Sequence, residues 1–377
     1  MIDRRAAGAI LTIDLDALAS NWRRLADRLA PSGTECAGVV KADGYGLGVA
    51  PVARTLHAAG CRTFFVAQIS EGIALRAALA ERPAAVFVLC GLLPGTADLF
   101  AAHRLAPALS TPEQIAEWRG LSAELRAALP APALHLDTGM RRLGLTAAEA
   151  ESLLADPTAL ADIAPATVMT HLACADEPEH PLNAEQYDLF ARLHAALPGV
   201  RGSWANSSGV FLDGAAAFEQ ARPGVALYGV NPTPHLPNPM APVVRLEAPI
   251  LQVRRIDAAE SVGYGASHVM AAGSRVATVG VGYADGFSRA LSNRGYGVLA
   301  GTRVPIVGRV SMDLTTLDVT RVPASEARPG AMIQLIGPDM PIDEVAAHAG
   351  TIAYELLTQL GRRYHRVYVG GPEGAAA

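Results

Sequence analysis

The chain has only four cysteines in 377 residues, Cys36, Cys61, Cys90 and Cys174. They are widely spaced, with no C-x-x-C and no spacing of metal-ligand type, which argues against a disulfide framework or a zinc module. Three lie in or beside apolar strand-like runs, so they read as inert, reduced core residues of a cytoplasmic protein. Charged residues make up only 18%, with a formal net charge of -5. No basic stripe stands out, which argues against nucleic acid as the main partner. No stretch offers about twenty uninterrupted apolar residues, so no membrane span is expected. Met1 to Leu11 carries arginines but only a short apolar stretch before Asp14 and Asp16, which does not make a signal peptide. What is present is hydrophobic: half of the residues, enough for a large core. The length suits about two or three domains, or one large barrel plus an addition.

The first helix is marked by Leu15, Leu18, Trp22, Leu25 and Leu29, a single apolar stripe at steps of three and four. After it, strand-like runs near 36–41, 63–68, 85–90, 105–109, 133–137, 166–171, 202–206 and 224–228 alternate with helical segments. One helix begins at Thr111 as N-cap with Pro112 at N1 and Gln114 closing a capping box, and its apolar face runs through Ile115, Trp118, Leu121 and Leu125. Eight such repeats in roughly 220 residues imply an α/β fold with a parallel (β/α)8 TIM-type barrel, with a doubly wound sheet as the alternative.

Four prolines in the nine residues Asn231 to Pro239 mark a linker. The expected division is a barrel over 1–240 and a mostly β C-terminal domain over 241–377. Beyond the linker the apolar period becomes two. Val310, Met312 and Leu314 alternate with polar residues, and Leu317 and Val319 resume one step out of phase, which predicts a bulge near Thr315-Thr316. Met312 then belongs to the core by its side chain. A last helix is expected near 342–360, then a strand from Arg366 to Val369.

Catalytic groups of a barrel gather at the C-terminal ends of its strands. Lys41 ends the apolar run Ala37-Gly38-Val39-Val40 and opens a glycine-studded turn, so its amine is lifted to a strand end. Desolvation there frees the neutral amine that a Schiff base needs. Tyr45 follows the same strand, Asp137 to Arg142 follow the fifth, His171 ends the sixth, Asn206 and Ser207 the seventh, and Arg222 and Gly224 open the eighth. Ser207, Ser208 and Gly209 suit a phosphate site. A Schiff-base lysine with a phosphate cradle is what pyridoxal phosphate requires.

Val39-Val40-Lys41-Ala42-Asp43-Gly44-Tyr45-Gly46 closely resembles the cofactor-attachment motif of the alanine racemase family. Further matches follow in the family's order at 136–144, 170–172, 205–207 and 222–229, and in the second domain at 262–265, 282–286, 308–313 and 354–355. The second-domain matches separate this resemblance from other pyridoxal-phosphate barrels.

The resemblance implies an alanine racemase, an isomerase that supplies D-alanine for cell-wall synthesis in the cytoplasm. Lys41 would hold the cofactor; Tyr45, Ser207, Gly224, Val225 and Tyr354 would bind its phosphate; Arg222 would face the pyridine nitrogen, with His171 near the ring. Lys41 and Tyr264 would be the two bases on opposite faces, Tyr264 coming from the second subunit of a head-to-tail homodimer. A tyrosine's ordinary pKa is about 10, so nearby positive charge must favour the phenolate. Met312 would bind the substrate carboxylate through its backbone, Arg142 would orient it, and Tyr283 would line the entrance. No metal is implied. The chain departs from the family at His135, where a carbamylated lysine often holds the equivalent of Arg142. An anion, the imidazole itself or another residue must serve there.

Taken singly, several of these residues have plainer readings. Tyr264 between two glycines suits a turn aromatic, His171 a satisfied core histidine, and Arg222 an ion-paired surface arginine. Asp176-Glu177-Pro178-Glu179-His180 lacks ligand spacing and reads as a solvated loop. Rival functions are racemisation of another small amino acid such as serine, a non-catalytic cofactor-binding barrel, and a barrel decarboxylase. The second domain counts against the non-catalytic barrel. A decarboxylase would place an acid where Arg222 stands.

Overall fold

The computed structural model describes residues 6–214 and 217–372. The expectation about a signal peptide falls partly on residues 1–5, outside the described residues. The first helix spans Leu15–Leu29, and all five stripe residues are buried. Asp14 Oδ1 accepts from Ala17 N–H at 2.8 Å, satisfying one of the helix's unpaired first-turn donors.

The parallel segments lie in the spatial order Glu35–Cys36, Gln220–Ala221, Arg201–Ser203, Thr167–Met169, Ala133–His135, Ala106–Leu109, Ala85–Val88, Thr63–Val66, Gly38–Val39. The first and last are two halves of one strand interrupted at Ala37, so the sheet closes as a (β/α)8 barrel. Ala37 N–H reaches Ala221 O and Val40 N–H reaches Phe65 O, both at 2.9 Å, one on each side of that strand.

The eighth strand is not at 224–228. It is Gln220–Ala221, and Val225–Tyr228 is a 3-10 helix. All four residues of that helix are buried, so the run lacks the periodicity that tells a strand from a buried helix. Ser207 decides the matter, its Oγ accepting from Gly224 N–H at 2.9 Å and Ala226 N–H at 3.2 Å. The helix after Thr111 also differs. It stops at Gly120, and Leu125 belongs to a separate helix, Ala123–Ala128, capped by Ser122. Thr111 accepts from Gln114 N–H as expected, but Gln114 Oε1 turns to Ser110 N–H at 2.7 Å, so the capping box is not reciprocal.

In the second sheet the long strand Val244–Arg255 pairs with Ile10–Asp14, Met332–Ile336 and Arg275–Val279. Ile10–Asp14, unassigned from sequence, also lies parallel to His365–Val369. The bulge expected at Thr315-Thr316 is absent: Thr315–Asp318 pairs in regular register with Arg275–Val279. The phase slip is instead a turn, in which Ser311 N–H and Oγ both reach Leu314 O. The register irregularities fall in Val244–Arg255, at Leu246/Glu247 and Ile250/Gln252. Met312 rides the turn rather than a strand, so its side chain is 53% exposed and not core. The terminal helix is two helices, Ile342–Ala349 and Ala353–Gln359, parted at the left-handed Gly350. Cys36 and Cys61 are buried as expected, whereas Cys90 is exposed at its strand end. Among the described residues no helix is long and apolar enough to cross a membrane.

Candidate active site

Lys41 follows the buried Val39-Val40 and stands half-buried at the barrel mouth. The turn it opens is left-handed over five consecutive residues, with φ of +53° at Ala42, +55° at Asp43, +64° at Gly44, +53° at Tyr45 and +81° at Gly46. Three of these are not glycine, and such backbone persists only where its surroundings fix it. Glu71 does much of this. Its Oε1 accepts from Ala42 N–H at 2.7 Å, while its Oε2 accepts from Ala67 and Gln68 N–H. Asp43 Oδ1 holds Val49 N–H at 2.7 Å. Sequence reasoning missed Glu71, because Gln68, three residues before it, is not one of the usual helix-capping types. Burial, followed by the charge of Arg142, lowers the Lys41 pKa, with Glu71 and Cys90 opposing. The amine is thereby pressed toward its neutral, nucleophilic form.

Tyr45 is buried beneath the same mouth, stacked on Tyr228 at 4.5 Å and 6.3 Å from the ring of Tyr354. Burial pushes its phenol pKa up, so it remains a neutral donor. A Cβ at Gly224 would lie 2.3 Å from the Tyr45 hydroxyl, so only glycine lets that hydroxyl approach the backbone here. Neither the Tyr45 hydroxyl nor Val225 N–H makes a hydrogen bond among the described residues. With the Ser207 hydroxyl they form a cluster of donors at the last two strands, where barrels hold phosphate.

Arg222 is buried, donating to Ser203 O at 2.7 Å, to Ser203 Oγ at 2.5 Å and to Thr170 O. Burial lowers its pKa to about 10, which still leaves a full cation at neutral pH. That cation shapes its neighbours. His171 falls to about 3 through burial, then Arg222, Arg142 and Lys41. His135 falls to about 4 through burial, then Arg222 and Arg142, with Asp137 opposing.

Both rings are therefore neutral when folded, while unfolding restores an ordinary histidine pKa near 6.5. The unfolded chain binds more protons below that pH, so stability is complete above about pH 6.5 and declines as pH falls toward the folded values. Each ring contributes roughly 2.5 kcal/mol of this loss by pH 4.5. Thermal melts from pH 7 to 4.5 should show a falling midpoint, with a shallower fall in His135→Gln. An unchanged slope in that variant would remove His135 from the acid response.

The structure brings Lys41, Tyr45, His171, Ser207, Arg222, Gly224 and Val225 to one mouth, with Arg142 at its rim and Tyr354 beside Tyr45. It does not bring Tyr264 or Met312 there. Tyr264 is 70% exposed on a short turn of the second domain, Tyr264–Ala266, and no hydrogen bond, ring contact or charge interaction joins it to Lys41 among the described residues. Val262, beside the turn, is anchored in a small core with Ile256, Met270, Val276 and Val307. Met312 lies in a laced loop pair, Tyr283 N–H reaching Ser311 O at 3.0 Å and Ala284 N–H reaching Met312 O at 2.9 Å. The Met312 N–H has no partner among the described residues. His180 accepts from Leu182 N–H at the start of its helix, so that loop histidine serves as a cap.

A cofactor with an aldehyde and a phosphate needs an amine pressed toward neutrality and an anion cradle nearby. This mouth supplies both, and the donor set fits pyridoxal phosphate. The class is that of the pyridoxal-phosphate barrel enzymes. The chain belongs to the alanine racemase family: residues 13–232 match the alanine racemase N-terminal domain and residues 243–368 the C-terminal domain. It is 57% identical to the alanine racemase of Rhodospirillum rubrum over 98% of both chains, and 50% identical to that of Methylobacterium nodulans over 97% of both. Among solved structures it is similar to the alanine racemase of Bartonella henselae with covalently bound pyridoxal phosphate. That likeness has a TM-score of 0.89 at 40% identity, over 96% of this chain and 99% of that one. It is likewise similar to the biosynthetic alanine racemase of Pseudomonas aeruginosa, with a TM-score of 0.86 at 33% identity over 96% and 99%.

Proposed function

We infer that the chain interconverts L- and D-alanine with pyridoxal phosphate held at the barrel mouth, Lys41 and Tyr264 exchanging the α-proton on opposite faces. When bound, the cofactor supplies the electron sink that acidifies the α-hydrogen of an attached amino acid. The chain's own residues do the rest. Tyr45, Ser207, Gly224, Val225 and Tyr354 would hold the phosphate, and Lys41 Nζ would carry the covalent attachment and one proton transfer. His171, neutral beside Arg222, would flank the ring without adding charge. Arg222 would face the ring nitrogen and, with a pKa of about 10, gives no proton to it at neutral pH.

The observation that carries this reading is the pairing of the desolvated Lys41 amine with the buried Arg222 cation at one mouth. A decarboxylase would set an acid where Arg222 stands. Racemisation also needs a proton delivered from the far side, which one base does not easily supply. Tyr264 suits that task, since it stands 70% exposed on its turn, free to enter a neighbouring site. A head-to-tail homodimer would set each Tyr264 over the partner's Lys41. The exposure of Tyr264, Tyr283, Met312, Leu314 and Ile352 supports such a covered face. Met312 N–H and Arg142 would receive the substrate carboxylate. The unpaired cysteines support a cytoplasmic setting.

The test is deuterium uptake at Cα from heavy water, using purified, yellow protein and a panel of L-amino acids. Alanine is expected to exchange and racemise fastest. A chain that exchanges serine faster is a racemase of different preference, and one that exchanges neither is not a racemase of small amino acids.

A further inference from the structure

Between Asp137 and Leu145 the chain leaves the strand Ala133–His135 and returns to it. Leu145 N–H donates to His135 O and Asp137 N–H to Leu145 O, both at 2.8 Å. Asp137 Oδ1 accepts from Gly139 N–H at 2.9 Å and Arg141 N–H at 3.0 Å. A Cβ at Gly144 would lie 2.6 Å from Asp137 N, so the loop closes tightly on the strand. The backbone of Arg142 is thus fixed, but its guanidinium is not: it has no hydrogen bond or ion pair among the described residues. A cation that must orient a carboxylate gains from being held before the substrate arrives.

The ionisable groups that its charge reaches are Lys41, His171 and His135. Lys41 would be committed to the cofactor, and His171 would lie against its ring. His135 remains. Its ring is buried and pinned on one side, Nδ1 lying 3.3 Å from Ser110 Oγ. Ser110 is itself fixed, its N–H donating to Gln114 Oε1 at 2.7 Å while Gln114 Nε2 donates to Cys90 O at 3.2 Å. His135 Nε2 has no partner among the described residues. An unmatched acceptor and unmatched donors therefore sit on one strand-and-loop unit.

We propose that His135 is the positioning residue for Arg142: Nδ1–H bonds Ser110 Oγ, and the Nε2 lone pair accepts a guanidinium N–H. This rests on the racemase reading only for what Arg142 does next, which is to receive the substrate carboxylate. The charged and titratable groups facing the ring are Arg222, Arg142, Asp137 and His171. Under them the ring stays neutral at physiological pH, so it offers an acceptor and does not repel Arg142.

Two measurements test this. The first is nitrogen-15 NMR of the His135 ring in the cofactor-free chain, which should show the Nδ1–H tautomer, uncharged, from pH 5.5 to 8. An Nε2–H tautomer or a titration in that range overturns the proposal. The second uses the loaded protein with alanine as substrate and propionate as carboxylate probe. His135→Leu should raise KM and the propionate Kd roughly tenfold or more with a smaller effect on kcat, as expected for loss of a hydrogen bond to a charged group. His135→Gln, which restores an acceptor, should stay within about threefold. In an Arg142→Gln background His135→Leu should add almost nothing, because the partner is already gone.

Ser110→Ala, which keeps the ring and frees it, should shift propionate binding in the same direction if His135→Leu fails to fold. Equal losses from His135→Leu with and without Arg142, or tight propionate binding that depends on added chloride or bicarbonate, would assign the role elsewhere. A wild-type chain that turns over no alanine defeats the racemase reading, while the tautomer measurement still decides the pairing of His135.

Discussion

Lys41→Ala is expected to lose alanine racemisation by at least roughly 10,000-fold in both directions, because one side chain supplies both the covalent anchor and a proton-transfer group. The protein should also lose its yellow absorbance while keeping its fold. The fold should survive because the Lys41 side chain makes no hydrogen bond among the described residues. The left-handed turn is clamped by Glu71 on Ala42 N–H and by Asp43 on Val49 N–H, and neither contact involves the lysine side chain. Circular dichroism and melting separate the two effects. A Lys41→Ala protein that remains yellow with normal turnover would refute the assignment of the anchor.

The second large effect concerns two inactive proteins that restore each other. Lys41→Ala and Tyr264→Phe chains, each nearly silent alone, should recover about one quarter of the wild-type rate when mixed and allowed to re-pair. The figure follows from counting. Half of randomly paired dimers are mixed, and in a head-to-tail arrangement each mixed dimer has one site with both residues intact and one with neither. The structural ground is the location of Tyr264, exposed on the second domain and unconnected to Lys41 of the same chain. If the tyrosine acted within its own chain, every site in the mixture would lack one group and nothing would be recovered.

The barrel was legible because each strand–helix repeat carries its own local signals, the Leu15–Leu29 stripe and the Thr111 cap among them. Lys41 was legible for the same reason: an apolar run that stops at a lysine before a glycine-studded turn places an amine at a strand end. The failures occurred where a distant contact overrides a local pattern. Val225–Tyr228 looks like a strand because it is buried on all sides, whereas Ser207 Oγ caps Gly224 and Ala226 N–H and the segment closes its own turns, Leu227 N–H on Gly224 O. Met312 alternates in phase with Val310 and Leu314, yet a turn closed on Leu314 O lifts it into solvent. Ile10–Asp14 is five residues long, and its partners lie more than two hundred residues away.

The site shows the same division. Residues at strand ends could be placed by number, whereas Glu71, Gln114 and Ser110, which hold them, act through contacts, two to backbone N–H groups and one from a hydroxyl to the His135 ring, that carry little sequence signal. Tyr264 is a third case. Nothing in its local sequence or in the contacts of one chain distinguishes a turn aromatic from a base, and the family resemblance alone marked it.

Following α-hydrogen exchange in heavy water with Tyr264→Phe, starting separately from L- and from D-alanine, goes most directly to the two-base claim. With the phenol gone, exchange from one enantiomer should persist at a substantial rate through Lys41, while exchange from its mirror image and racemisation both collapse. Loss of the same size from both enantiomers, or unimpaired racemisation, would mean that no second base stands at Tyr264.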